Sequence, residues 1–345
     1  MTSSLPGTTL VTGATGLIGS HVVRYMLALG QPVSALYRAE NGYGLLTDVA
    51  HLLTWHEGDL LDIFSLEAAM QPGCDVIHCA AIVSFVPKDR ARMEQINVEG
   101  TANVVNSCLA VGVRKLAYIS SVAALGKPEA KEPNHVPGSP PPVMVLDEDH
   151  KWQDSPLNSA YAKTKYRAEL EVWRGHAEGL PVVMVNPSVV LGEGDWTRSS
   201  TQLVKYVYDE KRFYTVGDIN YVDVLDVAEA TCRLLHSPVA GERFILNAGT
   251  LPYRDFLTQL AHALGKRPPT VRVPPGLARV LAQVEAVRSW LTGTSPLITR
   301  ETAQGASRRY AYPGNKIGQV LDFQYRPLAQ TLARIATQVQ AAQRS

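Results

Sequence analysis

The sequence predicts an α/β protein built on a doubly wound parallel sheet, followed by a smaller, mostly helical C-terminal part. Three observations carry that reading. Short β-branched runs alternate with longer helical stretches through the first half, a glycine-rich turn joins the first strand to the first helix, and helical patterns dominate beyond Asn186. Strands that alternate with helices imply right-handed crossovers, which cover a parallel sheet on both faces.

Taken in order, residues 8–12 read as a strand, 16–29 as a helix and 33–37 as a second strand, and a third strand ends near Trp55 and His56. Residues 75–79 form a near-continuous apolar run, as a strand buried on both faces should. A long helical pattern covers 89–111, then come a strand over 115–120, a helix over 158–178 and a strand over 181–185. Between Gly126 and Asn158 the rhythm breaks. Six prolines precede Val143, including Pro140, Pro141 and Pro142. Proline lacks a donor and disfavours helix, so this is a long irregular loop, either disordered or a functional lid.

Residues 223–235 and 253–264 look helical, with Gly265 placed as a C-terminal stop. Residues 277–291 also carry helical spacing, read as a helix packing on the core or lining a substrate cavity. The alternative, a helix lying at a membrane surface, is opposed by Arg279, Glu285 and Arg288, and the stretch is too short to span. The predicted organisation is a dinucleotide-binding unit over 1–190, with elements of 221–247 returning to it. Residues 191–220 and 248–345 form the substrate-binding unit.

Apolar residues make up 46% of the chain and charged residues 19%, a globular composition. Lys and Arg total 33 against 32 Asp and Glu. That balance gives no reason to expect nucleic acid or an anionic membrane as partner. Cys74, Cys79, Cys108 and Cys232 lack any Cys-x-x-Cys spacing, so they read as small buried hydrophobes and no metal site is expected. No secretory signal opens the chain and no apolar run reaches the roughly 20 residues of a membrane span. A cytoplasmic protein is the expectation.

The first strand runs into Thr12-Gly13-Ala14-Thr15-Gly16-Leu17-Ile18-Gly19. Gly13 permits a tight turn, Gly16 lets the backbone approach a pyrophosphate, and Gly19 lets the helix sit close to the sheet. The pyrophosphate then meets free N–H groups at the positive end of the helix dipole. Gly13, Thr15, Gly16, Leu17, Ile18 and Gly19 are the predicted contacts. The second strand ends Leu36-Tyr37-Arg38, with tyrosine where an NAD-selective carboxylate would be expected. Arg38 suits a 2′-phosphate, so the sequence favours NADP, with NAD as the alternative and Glu40 close enough to blunt the preference. Asp59 and Leu60 follow the third strand, where Asp59 either accepts from the adenine amino group or caps a turn. Ala80 and Ala81 end the fourth strand, small enough to pass close to the cofactor. His78 reads as a packed core histidine, since no partner stands at ligand spacing.

Hydride transfer to a carbonyl needs a proton donor near the substrate oxygen. Tyr161 and Lys165 are four residues apart, hence on one helix face, and a lysine cation near a phenol favours the phenolate. Lys163 points elsewhere and should be solvated. Ser121 follows the fifth strand at the carboxyl edge of the sheet, where doubly wound folds bind ligands.

With these residues in place, the chain resembles the extended short-chain dehydrogenase/reductases, the NAD-dependent epimerase/dehydratase superfamily, over almost its whole length. The matching motifs are the glycine turn, Gly58-Asp59-Leu60, His78-Cys79-Ala80-Ala81, Asn97-Val98-Glu99-Gly100-Thr101, Tyr118-Ile119-Ser120-Ser121, Tyr161 to Lys165 and Asn186-Pro187-Ser188-Val189-Val190. The resemblance implies a Rossmann fold in which Ser121, Tyr161 and Lys165 are catalytic and Asn97 supports them. It also implies that Pro187, Ser188 and Val190 contact the nicotinamide amide, and that Tyr161 and Lys165 touch the cofactor, Lys165 through the ribose. Within the superfamily the chain looks most like the dihydroflavonol reductase and 3β-hydroxysteroid dehydrogenase branch. Asp147, Glu148, Trp152 and Tyr221-Val222-Asp223-Val224 carry that likeness. The proline-rich insertion is longer than that branch usually carries, and Trp152 reads either as a ring-stacking or as a packing residue.

The function expected is an NADP-preferring oxidoreductase that moves a hydride between nicotinamide and a carbonyl or alcohol of an apolar small molecule, cyclic and aromatic ones included. The alternatives are a nucleotide-sugar epimerase or dehydratase with tightly held NAD and a non-catalytic NADP-binding regulator. The resemblance further implies a homodimer, with the helices over 89–111 and 158–178 supplying the bundle.

Overall fold

The computed structural model describes residues 7–129, 143–196, 199–274 and 309–342. Its centre is a parallel sheet of β1 (Thr9–Thr12), β2 (Val33–Tyr37), β3 (Thr54–Glu57), β4 (Asp75–His78), β5 (Lys115–Ile119), β6 (Val182–Pro187) and β7 (Glu242–Leu246). The spatial order is β7-β6-β5-β4-β1-β2-β3. Successive residues of a strand point to opposite faces, so both faces of these short runs must be covered. On one face Val11, Ile77, Ala117 and Val183 meet α1 (Leu17–Ala28) and α7 (Val224–His236) through Val22, Met26, Val227 and Leu234. On the other, Leu10, Val76, Leu116 and Met184 meet α2 (Ile63–Ala69), α4 (Gly100–Val111) and α5 (Ala160–Ala177) through Leu66, Val104, Ala168 and Val172.

The order reverses between β1 and β4, which opens a crevice at the carboxyl ends of those strands. Thr12 pairs with His78, and His78 with Tyr118, so one row of side chains crosses three strands at the crevice floor.

The helix expected over 89–111 is interrupted. It consists of α3 (Arg90–Glu94), a π turn (Gln95–Glu99) and α4. The extra residue of a π turn re-aims its side chains, and such turns gather at functional sites. Here Asn97 sits inside the turn.

The remaining part packs α6 (Gln202–Tyr208), α8 (Tyr253–Leu264) and α9 (Leu328–Ala342) around Val204, Val207, Phe256, Leu260, Leu332 and Ile335. Val189–Leu191, Asp218–Asp223 and Gly249–Pro252 form a three-stranded sheet beside these helices. Gly265 closes α8 at φ +65°, the left-handed conformation that its predicted role requires. α9 is tied to the start of α7, where Thr331 donates to Asp223 at 2.5 Å and Arg334 reaches the same carboxylate at 2.7 Å.

Residues 277–291 and the 130–142 part of the proline-rich loop lie outside the described residues. The described ends of that loop are pinned. The Asn158 amide accepts from Lys127 N at 2.7 Å and donates to Gln153 O at 2.8 Å. Trp152 stacks on Tyr166 of α5 at 4.4 Å, so the packing role is the one it takes. Among the described residues no helix is long and apolar enough to cross a membrane.

Candidate active site

Gly13 turns the chain out of β1 at φ +66°. A Cβ there would lie 2.6 Å from the Ala80 backbone, and one on Gly19 would lie 2.2 Å from the Gly13 oxygen. Gly16 N donates to Gly13 O at 3.1 Å, and Gly16 heads α1 without a side-chain cap. The first N–H groups of that helix, after Thr15, at Leu17 and Ile18, are thereby left for an anion at the positive end of the dipole. Without a Cβ at Gly13 and Gly19 the turn packs flush against the Ala80 backbone and the helix, and its exposed N–H groups fit a dinucleotide pyrophosphate.

At the far end a cleft of about 550 Å³ is lined by Arg38, Asp59, Arg92, Gln95 and Glu99. Arg38 lies 3.6 Å from Glu40 in a largely exposed pair, which holds the guanidinium only weakly. Asp59 Oδ1 accepts from Leu61 N at 2.9 Å, a turn-closing bond, and the residue lines the cleft. Leu60 is buried against Gly100, and its carbonyl accepts from Asn103. Arg92 of α3, which the sequence does not single out, lines the same cleft as Arg38.

Ser121 leaves β5 and caps the short turn behind it, accepting from Ala123 N at 3.1 Å. Tyr161 is the second residue of α5, which Ser159 caps by accepting from Ala162 N at 3.0 Å. Ser121 faces the Tyr161 phenol and favours its ionised form. Burial pushes that phenol up to about 12, and the effect of Ser121 offsets only part of the rise. Lys165 is buried, and its ammonium donates to the Tyr118 hydroxyl at 2.6 Å and to Ile119 O at 2.8 Å. Desolvation brings it down to about 7 against the opposing pull of Glu169 and Cys79. The spacing argument has the lysine lowering the tyrosine pKa. In this geometry the cation is turned to the sheet, and burial governs Tyr161 instead.

Asn97 spends its amide on both sides of the site. It donates to Ile82 O at 2.9 Å and Thr164 Oγ1 at 3.1 Å and accepts from Ile82 N at 2.7 Å. It therefore ties the segment carrying Ala80 and Ala81 to α5. Pro187 ends β6, Ser188 N donates to Leu246 O at 3.0 Å, and Val190 lies in the next short strand. Among the described residues the buried Ser188 hydroxyl has no partner, as a contact awaiting a carboxamide would.

His78 is a core histidine, fully buried, with Nδ1 2.6 Å from Thr12 Oγ1 and Nε2 3.0 Å from Thr101 Oγ1. Desolvation drives its pKa from 6.5 to about 3. Between those values the unfolded chain binds a proton that the native one refuses, so stability is lost as pH falls through that window, by about 1 kcal/mol per unit. Urea midpoints of the wild type against His78→Gln should show the acid slope flattened in the variant; parallel slopes would refute the assignment.

Sequence reasoning missed Glu169. It is buried in α5 one turn beyond Lys165 and accepts from Ser120 Oγ and Asn186 Nδ2, both at 2.5 Å. Arg243 of β7 reaches its other oxygen at 3.3 Å and binds the Glu148 and His150 carbonyls at 2.7 and 2.6 Å. Asn186 also donates to Ser121 O at 3.0 Å. A carboxylate at helical spacing after the lysine was the available signal, but helix surfaces carry many of these.

A dinucleotide cradle at the switch point of a parallel sheet, facing a serine and a tyrosine at the ends of β5 and α5, defines an oxidoreductase of the extended short-chain type. The chain belongs to the NAD dependent epimerase/dehydratase family, whose model matches residues 9–249. It is an NAD(P)-dependent oxidoreductase. A Synechocystis sp. protein whose name, dihydroflavonol 4-reductase, is provisional is 30% identical over 94% of this chain and 92% of its own length. Cinnamoyl-CoA reductase 1 of Oryza sativa subsp. japonica is 30% identical over 76% of this chain and 77% of its own. The crystal structure of gox2253 superposes with a TM-score of 0.77 at 29% identity, covering 98% of this chain and 99% of that one.

Proposed function

We propose that this protein is an NADP-preferring carbonyl reductase, or alcohol dehydrogenase in the reverse direction, acting on an apolar carbonyl compound with a cyclic or aromatic body. The observation that carries the reading is Ser121 beside the Tyr161 phenol, with the buried Lys165 one turn further along α5. The cofactor supplies the hydride. Tyr161 donates the proton to the substrate oxygen, Ser121 orients that oxygen, and Lys165 holds the ribose. Gly13, Thr15, Gly16, Leu17, Ile18 and Gly19 hold the pyrophosphate. Arg38, Asp59 and Leu60 take the adenosine end, Ala80 and Ala81 line the ribose side, and Pro187, Ser188 and Val190 take the carboxamide. Reductase names among the relatives, one of them for cinnamoyl-CoA, support an aromatic substrate class.

In this reading residues 1–190 with 221–247 are the dinucleotide-binding unit, 191–220 and 248–345 the substrate-binding unit. Two copies pair through the helices of 89–111 and 158–178. The free cysteines suit the reducing cytoplasm in which we place the protein.

The test is a screen of NADPH oxidation over aldehydes, ketones, flavonoid-like and steroid-like compounds, repeated with NADH. Consumption of NADPH by at least one aromatic or cyclic carbonyl is expected. Co-purifying NAD with no net NADPH consumption across the panel would instead favour the epimerase or dehydratase reading. For cofactor choice, Arg38→Ala is expected to weaken NADPH binding about 10- to 100-fold, the loss of a charge-assisted phosphate contact, with NADH binding little changed. Equal losses for the two cofactors would remove Arg38 from the selectivity argument.

A further inference from the structure

Arg92 is exposed on α3 and, among the described residues, makes no hydrogen bond or ion pair. Its neighbour Glu94 is by contrast paired with Arg167. An unpaired arginine on a helix surface is ordinary in itself. This one lines the cleft of about 550 Å³ at the adenosine end, together with Arg38, Asp59, Ile96 and Glu99. Arg92, Ile96 and Glu99 lie four and seven residues apart, so α3 and the π turn supply them from one side. Ile96 packs on the core that holds Leu36, Leu60 and Leu66, which fixes that wall against the sheet.

The charges on this lining balance. Arg38 and Arg92 bring two guanidinium groups, and Asp59 and Glu99 bring two carboxylates. Without Arg92 the cleft carries one net negative charge. A phosphate monoester is close to a dianion at neutral pH, since its second ionisation lies near 6. Arg38 alone, with Glu40 3.6 Å away, would meet that dianion in a cleft of the same sign. One planar guanidinium also engages at most two phosphate oxygens, and a monoester has three to satisfy.

We infer that Arg92 is a specificity-determining residue of the adenosine end: with Arg38 it binds the 2′-phosphate of NADP, and its charge decides whether the cleft admits that dianion. The inference rests on the NADP-preferring reading and adds to it a residue from a separate element. Asp59 keeps the adenine amino group, so the two carboxylates and the two cations serve different parts of one nucleotide.

The test uses calorimetric titration of the whole chain with two fragments of the cofactor, adenosine 2′,5′-bisphosphate and adenosine 5′-monophosphate. Low ionic strength is needed, because exposed charges are screened over about 10 Å at 0.1 M salt. Wild type should bind the bisphosphate more tightly than the monophosphate. Arg92→Ala should weaken the bisphosphate about tenfold, the loss of a charge-assisted contact, and leave the monophosphate unchanged. Arg92→Lys keeps the charge without the fork and should fall between the two. Glu99→Gln shifts the same balance the other way and should tighten the bisphosphate. Both side chains are exposed, so none of these variants disturbs the core. A bisphosphate affinity unmoved by Arg92→Ala overturns the inference. So does equal weakening of both fragments, which would place Arg92 on the adenine ring, and so does a failure of Glu99→Gln to tighten the bisphosphate. In each of these cases a wild type that still prefers the bisphosphate spares the NADP reading. A wild type that binds the two fragments equally overturns both.

Discussion

Replacing Tyr161 with phenylalanine is expected to lower turnover of any accepted carbonyl about a thousand-fold, the usual loss when a positioned proton donor is removed. The benzene ring keeps its place at the start of α5, so NADPH should still bind. The structure also predicts which direction of reaction the site favours. Burial pushes the Tyr161 phenol up to about 12, so near neutral pH the residue carries its proton and is ready as an acid. Reduction uses that form. Oxidation of an alcohol needs the phenolate, which is scarce until the pH approaches the raised value. Alcohol oxidation should therefore gain on carbonyl reduction as pH rises, while Lys165, whose proton is lost near 7, weakens cofactor binding in both directions. Initial rates in both directions between pH 6 and 10, for wild type and Tyr161→Phe, measure this. Full activity in the variant would sink the catalytic assignment, and matching pH profiles in the two directions would sink the directional one.

Much of the fold was legible because its signals are local. The β-branched run at Val33–Tyr37, the alternation with helices and the glycine turn each follow from backbone sterics and burial over a few residues. Tyr161 and Ser121 were legible for the same reason, since a strand end and a helix face place them without long-range information. What the sequence hid is what depends on contacts between distant segments. The π turn at Asn97 arises because its amide must satisfy Ile82 and Thr164, fifteen and sixty-seven residues away. The lysine was read against the tyrosine on its own helix. Its acceptor, Tyr118, lies forty-seven residues earlier on the sheet. Arg92, which lines the same cleft as Arg38, likewise comes from a helix distant from it in sequence.

The second large effect concerns stability and has its origin in Glu169. That carboxylate is 1% exposed and accepts from Ser120, Asn186 and Arg243, while Arg243 in turn holds the Glu148 and His150 carbonyls. A buried charge pair contributes little relative to apolar packing, because desolvation of the two ions offsets their attraction. Removing one member is different. Glu169→Ala leaves the Arg243 guanidinium, 17% exposed, without its counter-charge and strips the acceptor from Ser120 and Asn186. The expected loss is about 3–5 kcal/mol, read as the shift of the urea midpoint at constant slope. Glu169→Gln keeps the volume and one acceptor for Ser120 and Asn186, but turns an amide donor towards Arg243, and should fall between the two. The same variants should lower turnover, because Asn186 also fixes the Ser121 carbonyl, and a serine loosened from Tyr161 no longer orients the substrate oxygen. A midpoint shift below about 1 kcal/mol for Glu169→Ala would mean that water reaches Arg243 and that this carboxylate supports neither the loop nor the serine.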